Sequence, residues 1–437
     1  MEFLADKQTL LDLNVLGKYK TGSLFSLFNH VVTSGGERLL DEMFRHPLTD
    51  VTAINSRSSV FHYFQRMELQ LPFDEAAFSK AEQFLLNGCD DKWFFFLFRT
   101  GRRKLWSLMR LNNDAEEFDE GLRAALQVLG QLALFFQEMQ QDQRNPLYAK
   151  ASEYLAMLHA NGIADHELTN STVKGLGAEL KYDYLLRGKL YRKMQSLLEF
   201  VYLLDVAAAV GKVACSNKLV FARALGSESS VLEISNCRHP ALEKAIGNDL
   251  NLNEGQNIFF LTGANMAGKS TFMKSVGAAF YLAHMGFPVA ADSMRFSVKK
   301  GIYSSINVPD DLQQGISHFY AEVLRVKQVA GSVCSRLPLL VIFDELFKGT
   351  NVKDAYDATL AVTAAFANYR QCDFIISTHI IEVGEALKHV QPNMQFGFMP
   401  TVMKGSIPGY TYRMKEGITE DRHGMMIIRN EGILDIL

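Results

Sequence analysis

The sequence predicts a helical region followed by an α/β domain, with a mainly parallel sheet and a phosphate-binding loop. Three observations lead there. Between Pro72 and Pro240 the only proline is Pro146. From about residue 225, short apolar runs alternate with glycine-bearing loops and helix-like segments. Residues 263–271 read Gly-Ala-Asn-Met-Ala-Gly-Lys-Ser-Thr, directly after a strand-like apolar run.

The helical region follows from residue choice. Proline breaks helix interiors, so a long stretch almost free of it can hold long helices. Residues 117–142 are rich in Glu, Leu, Ala and Gln, all good helix formers. Leu122, Leu126, Leu129, Leu132 and Phe136 recur at the spacing of one helix face. A second helical segment is expected at 174–212, where Leu186, Leu190, Met194, Leu197, Val201 and Leu204 repeat the pattern. Plain helix packing explains both stripes.

Past residue 225 the pattern changes. Residues 256–262 read as a buried strand, 271–285 as a helix, 339–343 as a strand, 357–369 as a helix and 373–377 as a strand. Such alternation implies βαβ units. Residues 395–400 and 410–415 read as a later strand pair. The expected division is therefore 1–225 and 226–437. At roughly 100–200 residues per domain, a chain of 437 residues has room for it.

Composition narrows the class. With 48% apolar and 21% charged residues, a sizeable buried core is available. The five cysteines are scattered without a C-x-x-C pair, which argues against a disulfide framework or zinc site and for a reducing compartment. Residues 1–11 lack the layout of a signal peptide, and no apolar run approaches the ~20 residues that span a bilayer. A cytoplasmic protein with no membrane contact is expected. A formal net charge of −3 neither demands nor excludes nucleic acid, because a local basic face can sit on a neutral protein.

The chemistry concentrates in four places. Gly263-x-x-x-x-Gly268-Lys269-Ser270 is a P-loop pattern. Its backbone N–H groups must wrap a phosphate chain, so glycine stands where a side chain would collide. Lys269 would neutralise the β- and γ-phosphates, and Ser270 would give its hydroxyl to Mg²⁺. Leu339–Asp344 is an apolar run that delivers Asp344 and Glu345 at its carboxyl end, where open α/β sheets bind ligands. Asp344 suits the Mg²⁺ shell, and Glu345 suits polarising an attacking water. His379, after residues 373–377, reads as a γ-phosphate sensor; a lone histidine is more often structural. Gly315 to Glu322 reads by itself as an ordinary capped helix start.

Together these motifs resemble the MutS family of DNA mismatch-repair ATPases, within the ABC-type class. The resemblance rests on Thr262-Gly263-x-Asn265-Met266-x-Gly268-Lys269-Ser270-Thr271, on Asp344-Glu345-x-x-x-Gly349-Thr350 with Asp354 and Ala355, and on Cys237-Arg238-His239-Pro240. It also rests on Asp310 to Glu322, Ser377-Thr378-His379, and on Gly22 to His30 with Gly36 to Leu40. It implies a core/lever domain at 1–225, with at most a reduced clamp, and an ATPase domain at 226–437. It implies ATP and Mg²⁺ as ligands. Gly263, Asn265, Met266, Ala267, Gly268, Lys269, Ser270 and Thr271 would hold the nucleotide, and Ser270 and Asp344 the metal. Lys269, Glu345 and His379 would act in catalysis. Ser317 would reach the γ-phosphate of a second subunit, so a homodimer through the ATPase domains is implied, with DNA as a partner.

The departures from the family pattern also carry expectations. The chain begins where the MutS core begins, so the mismatch-reading domain and its Phe-x-Glu wedge are expected to be absent. Ala264 and Ala267 stand where Pro and Gly are usual, and Ala245 stands near where an aromatic commonly stacks on adenine. Arg99, Arg102, Arg103, Lys104 and Arg110 cluster around Trp93, Phe98 and Trp106, which suits DNA backbone contact, although a solvated helix face over a core edge is the commoner cause of such a pattern. The expected function is an ATP-dependent DNA-binding ATPase in mismatch repair or a related repair or recombination process. The alternative is an ATP-driven conformational scaffold that binds a protein and no DNA.

Overall fold

The computed structural model describes residues 2–17, 22–67, 69–88, 93, 96–98, 114–164, 176–226, 228, 230–264, 266–306, 318–404 and 407–419. A helical amino-terminal part is followed by a mixed α/β region. Two compact units result. One comprises residues 28–42 and 59–212, the other residues 1–27, 43–58 and 213–437.

The first unit is helical. Its long helix Asp114–Met139 buries Leu122, Leu126, Leu129, Leu132 and Phe136, the expected stripe. The segment expected as one helix is three elements: α-helix Leu176–Tyr184, a π-turn Leu185–Lys189 and α-helix Tyr191–Ser216. The π-turn carries a buried ion pair. Arg187 Nε donates to Asp183 Oδ1 at 2.7 Å, and its guanidinium lies 4.4 Å from the Phe84 ring centroid and 5.1 Å from that of Phe118. Wide turns of this kind often let a helix aim a particular side chain.

The second unit is built on strands. In chain order they are β1 Val220–Phe221, β2 Arg223–Leu225, β3 Val231–Cys237, β4 Asn248–Asn253, β5 Ile258–Gly263, β6 Pro288–Val289 and β7 Ser293–Ser297. There follow β8 Gly301–Ser305, β9 Leu339–Asp344, β10 Asp373–Ser377, β11 Met394–Met399, β12 Thr401–Lys404, β13 Ile407–Tyr410 and β14 Lys415–Glu416. The main sheet has the order β14-β11-β5-β10-β9-β8. All its pairings are parallel except β11 with β14. A second sheet has the order β2-β7-β3-β4.

Helices cover the main sheet, so its central strands are buried along almost their whole length, with their polar residues at the ends. Phe343, Phe366 and Phe374 stack between β9, β10 and helix Val352–Phe366, with ring centroids 5.9 and 5.0 Å apart. That helix starts earlier than expected because Asn351 caps it, accepting from Asp354 N at 3.0 Å. The later strand pair is shifted as well. β13 ends at Tyr410 and pairs with β12, while Lys415 and Glu416 pair with Phe398 and Gly397 of β11. No described helix is long and apolar enough to cross a membrane.

The amino terminus is woven into this unit. Leu4 accepts from Ile302 N and donates to Lys300 O, both at 2.8 Å, beside β8. Helix Lys7–Asp12 then packs on the same strand. Asp12 Oδ2 accepts from Ser304 Oγ at 2.8 Å and Ile306 N at 2.9 Å. Asp6 caps the helix and pairs with Arg325, whose guanidinium also donates to Ser304 O at 2.6 Å. Burial opposes the charge on Asp6, but its hydrogen bonds to Arg325 and Thr9 outweigh it and hold the carboxyl below its ordinary value.

A carboxyl with a lowered folded-state pKa stabilises the fold above its unfolded pKa, and that stabilisation fades as the pH falls through the folded value. Asp6→Asn should therefore cost on the order of 2 kcal/mol at neutral pH. Its deficit against the parent chain should shrink below about pH 4, as read from urea unfolding across that range.

Candidate functional site

The site forms where β5, β9 and β10 end. Parallel register sets Ser377 level with Leu261 on one side and Asp344 on the other, while Met399 lies level with Gly263. The three strand ends therefore discharge their side chains onto one edge.

The loop after β5 turns on left-handed residues. Gly263 has φ +138°, Met266 +72° and Gly268 +107°. A Cβ on Gly263 would lie 2.9 Å from Met399 O, and one on Gly268 would lie 3.1 Å from Tyr412 Cδ1. Gly263 needs glycine for backbone angle and for space, and Gly268 needs it for backbone angle, with the Tyr412 ring close enough that a Cβ would have to push it by a few tenths of an ångström. Helix Lys269–His284 starts immediately after, so its free N–H groups open onto the loop. Ala267 is buried and Met266 is exposed. Asn265 lies outside the described residues.

Lys269 is buried, and its Nζ donates to Gly263 O at 2.7 Å and Ala264 O at 3.2 Å. Glu345 Oε1 lies 3.9 Å away. Burial pulls the Lys269 pKa below its ordinary value, against the nearby charges of Glu345 and Asp344. Ser270 Oγ donates to Asp344 Oδ2, and Ser377 Oγ donates to Asp344 Oδ1. Glu345 has φ +55° and its N–H donates to Ser377 O at 3.1 Å. Lys269, Ser270, Asp344 and Glu345 are thus brought together. His379 follows Ser377 on the same edge and is exposed. Thr271 is exposed in the first turn of the helix. Ser317 lies outside the described residues, as do Arg99, Arg102, Arg103, Lys104, Trp106 and Arg110.

Among the described residues no group of three or more His, Cys, Asp or Glu side chains is arranged to hold a metal. The hydroxyl of Ser270 and the carboxylate of Asp344 are hard oxygen donors, which is the donor set Mg²⁺ takes when substrate phosphates and water complete its shell.

A cavity of about 190 Å³ adjoins the loop, lined among others by His239, Ala245, Asn248, Phe272, Met399 and Tyr412. Burial beside Lys274 lowers the His239 pKa. Ala245 is part of this lining. The sequence reading missed Tyr412, whose ring crosses over Gly268 from the segment between β13 and β14. Nothing local to Tyr412 signals that placement. It also passed over the Ser377 hydroxyl, which stood within the quoted Ser-Thr-His.

With the geometry in hand, similarity to known proteins can be placed on it. Residues 8–210 match MutS domain III, and residues 259–435 match MutS domain V. This chain belongs to the MutS family. The domain V match covers every side chain of the cluster at the strand ends. Among its relatives are proteins named DNA mismatch repair protein MutS. That of Wolbachia pipientis wMel is 30% identical over 235 residues, which is 53% of this chain and 27% of the relative. That of Fusobacterium nucleatum subsp. nucleatum is 28% identical over 236 residues, 53% of this chain and 26% of the relative. That of Streptococcus sanguinis SK36 is 26% identical over 267 residues, 59% of this chain and 31% of the relative. The chain thus spans about a quarter to a third of the length of these MutS proteins.

Gly263→Ala should displace β11 from the loop, because its Cβ meets backbone and its φ is left-handed. The expected cost is about 1–3 kcal/mol, measurable as a lowered urea midpoint with an unchanged slope.

Proposed function

We propose that this chain is an ATP hydrolase of the MutS type that acts on DNA, in mismatch repair or a related repair or recombination process. The observation that carries the reading is the cluster of Lys269, Ser270, Asp344 and Glu345 where parallel strands end beside a glycine-turned loop and a helix N-terminus. In this reading the α/β unit is a P-loop ATPase domain of the ABC type, acting in the cytoplasm.

The roles follow from the chemistry of each group. The N–H groups of the 263–271 loop wrap the phosphates, with Gly263, Asn265, Met266, Ala267, Gly268 and Thr271 shaping the turn. Lys269 exchanges its two carbonyl partners for β- and γ-phosphate oxygens. Its burial means that little hydration is left to lose when that exchange occurs. Ser270 and Asp344 hold Mg²⁺, which supplies neutralisation of the phosphate charge. Glu345 orients a water and takes its proton as the water oxygen bonds to the γ-phosphorus. The bond from that phosphorus to the bridging oxygen breaks, giving ADP and phosphate. His379 contacts the γ-phosphate. Ser317 reaches the nucleotide held by a second copy, so the active form is a homodimer through the ATPase domains.

In this reading the adenine occupies the cavity of about 190 Å³ beside the loop. Tyr412, which is exposed, offers an aromatic face in a lining that also includes the small Ala245. Stacking on one ring supports binding without the second ring that the family pattern places near Ala245.

Glu345→Gln should lower ATP turnover at least a hundredfold and should prolong an ATP-dependent dimer seen as a doubled mass in solution. Unchanged turnover would remove Glu345 from catalysis, and a persistent monomer would remove Ser317 from the site. ATPase rate and binding should be read on duplex, mismatched and branched DNA across a salt series. Binding carried by phosphate contacts should weaken steeply with salt. Absence of binding even at low salt would exclude the DNA role and leave an ATP-driven scaffold for a protein partner.

A further inference from the structure

We propose that Asn248 is a positioning residue for the nucleotide base, acting through Tyr412 by pinning the segment that carries it over the P-loop. The inference rests on reading Tyr412 as the base platform and adds the residue that holds it there.

Tyr412 needs holding. It sits at φ +56°, a conformation rarely adopted by aromatic residues. It also lies between β13, which ends at Tyr410, and β14, which begins at Lys415, so no strand ladder fixes it. Asn248 supplies the missing restraint from a different sheet. Its Nδ2 donates to Tyr412 O at 3.0 Å, and its Oδ1 accepts from Met414 N at 2.7 Å. The two bonds bracket Arg413, so one side chain closes the turn from both sides.

The chemistry of that grip is specific. One group must donate and accept at once over a short reach, which a primary amide does. A carboxylate keeps the acceptor and loses the donor, and alanine loses both. Asn248 is itself nearly buried and is anchored at the first position of β4, level with Cys237 of β3. Its own position is therefore set by the sheet rather than by the loop it holds.

The consequence falls on the base. The cavity lining also includes the aliphatic side chains of Leu242, Ala245 and Ile246. Phe272 lines the same cavity but is buried, whereas Tyr412 is 46% exposed. Tyr412 is thus more open than Phe272 or the half-buried His239 imidazole, and the angle of its face bears most on how well a purine stacks. Phosphate binding depends on a different set of atoms, in the 263–271 loop. Loss of Asn248 should therefore weaken recognition of the base and spare recognition of phosphate.

The test measures binding of ATP and of inorganic tripolyphosphate by calorimetry to the full chain and to Asn248→Ala, Asn248→Asp, Tyr412→Ala and the Asn248→Ala/Tyr412→Ala double variant. Asn248→Ala and Tyr412→Ala should each weaken ATP roughly tenfold, the scale of losing one base–aromatic stack. The double variant should bind ATP no more weakly than Tyr412→Ala, and tripolyphosphate affinity should stay at the parent value throughout. Asn248→Asp should behave like Asn248→Ala. An additive double variant, an equal loss of tripolyphosphate, or unchanged ATP affinity in Asn248→Ala would each overturn the proposal while leaving the nucleotide site in place. Unchanged ATP affinity in Tyr412→Ala would overturn the platform reading on which it rests. A parent chain that binds tripolyphosphate but gains nothing from the base would do the same. A parent chain that binds neither ligand would overturn the nucleotide site itself.

Discussion

The parallel register of β5, β9, β10 and β11 is the constraint on which the site depends. Side chains alternate faces along a strand, so a slip of one residue turns every side chain to the opposite side of the sheet. In the register found, Ser377 is level with Asp344, and Met399 is level with Gly263. That places a hydroxyl where it can reach the Asp344 carboxylate and a backbone carbonyl where only glycine fits. The register is in turn held by apolar burial on both faces, through Val341, Phe343, Phe374 and Ile376 on one side and the helix after the loop on the other. Packing in the core and geometry at the edge are thus one structural fact.

The electrostatics of the edge follow from the same arrangement. A buried ammonium is costly unless it is paired and hydrogen-bonded. Lys269 is buried with two carbonyl partners and with Glu345 within ion-pair reach. Both oxygens of Asp344 accept from serine hydroxyls, one from the first turn of the helix after the loop and one from β10. Lys269 and Asp344 are each held by neutral polar partners that a phosphate or a cation can replace. Backbone strain gathers in the same place, at Met266, Glu345 and Phe347, all with positive φ. Strain of this kind persists where surrounding packing over-determines it, and it collects at working sites.

What the sequence made legible were the features with local causes. β5, β9 and β10 announce themselves as short apolar runs because both faces are covered. The stripe from Leu122 to Phe136 announces its helix by period. Lys269, Ser270, Asp344 and Glu345 could be named because each sits beside a motif of fixed spacing. The features that escaped have distant causes. The π-turn at Leu185–Lys189 preserves the apolar period on either side and so reads as continuous helix. The β8 strand, Gly301–Ser305, is short and begins with the glycine on which Leu4 lies, a contact across most of the chain. Tyr412 and Asn248 meet only because β4 and the β13–β14 segment are brought side by side. The strand expected at 410–415 is broken by that same left-handed tyrosine.

The loop ending in Lys269, with Asp344 beside it, is proposed as a nucleotide-phosphate site. The most direct measurement is a calorimetric titration of ATP into the full chain and into Lys269→Ala, each with and without Mg²⁺. One site per chain is expected in the parent protein, tightened by Mg²⁺, with an affinity at least about tenfold weaker in Lys269→Ala, the loss of one charge-assisted contact. Equal ATP affinity in the two proteins, or no binding to the parent chain in the presence of Mg²⁺, would contradict it.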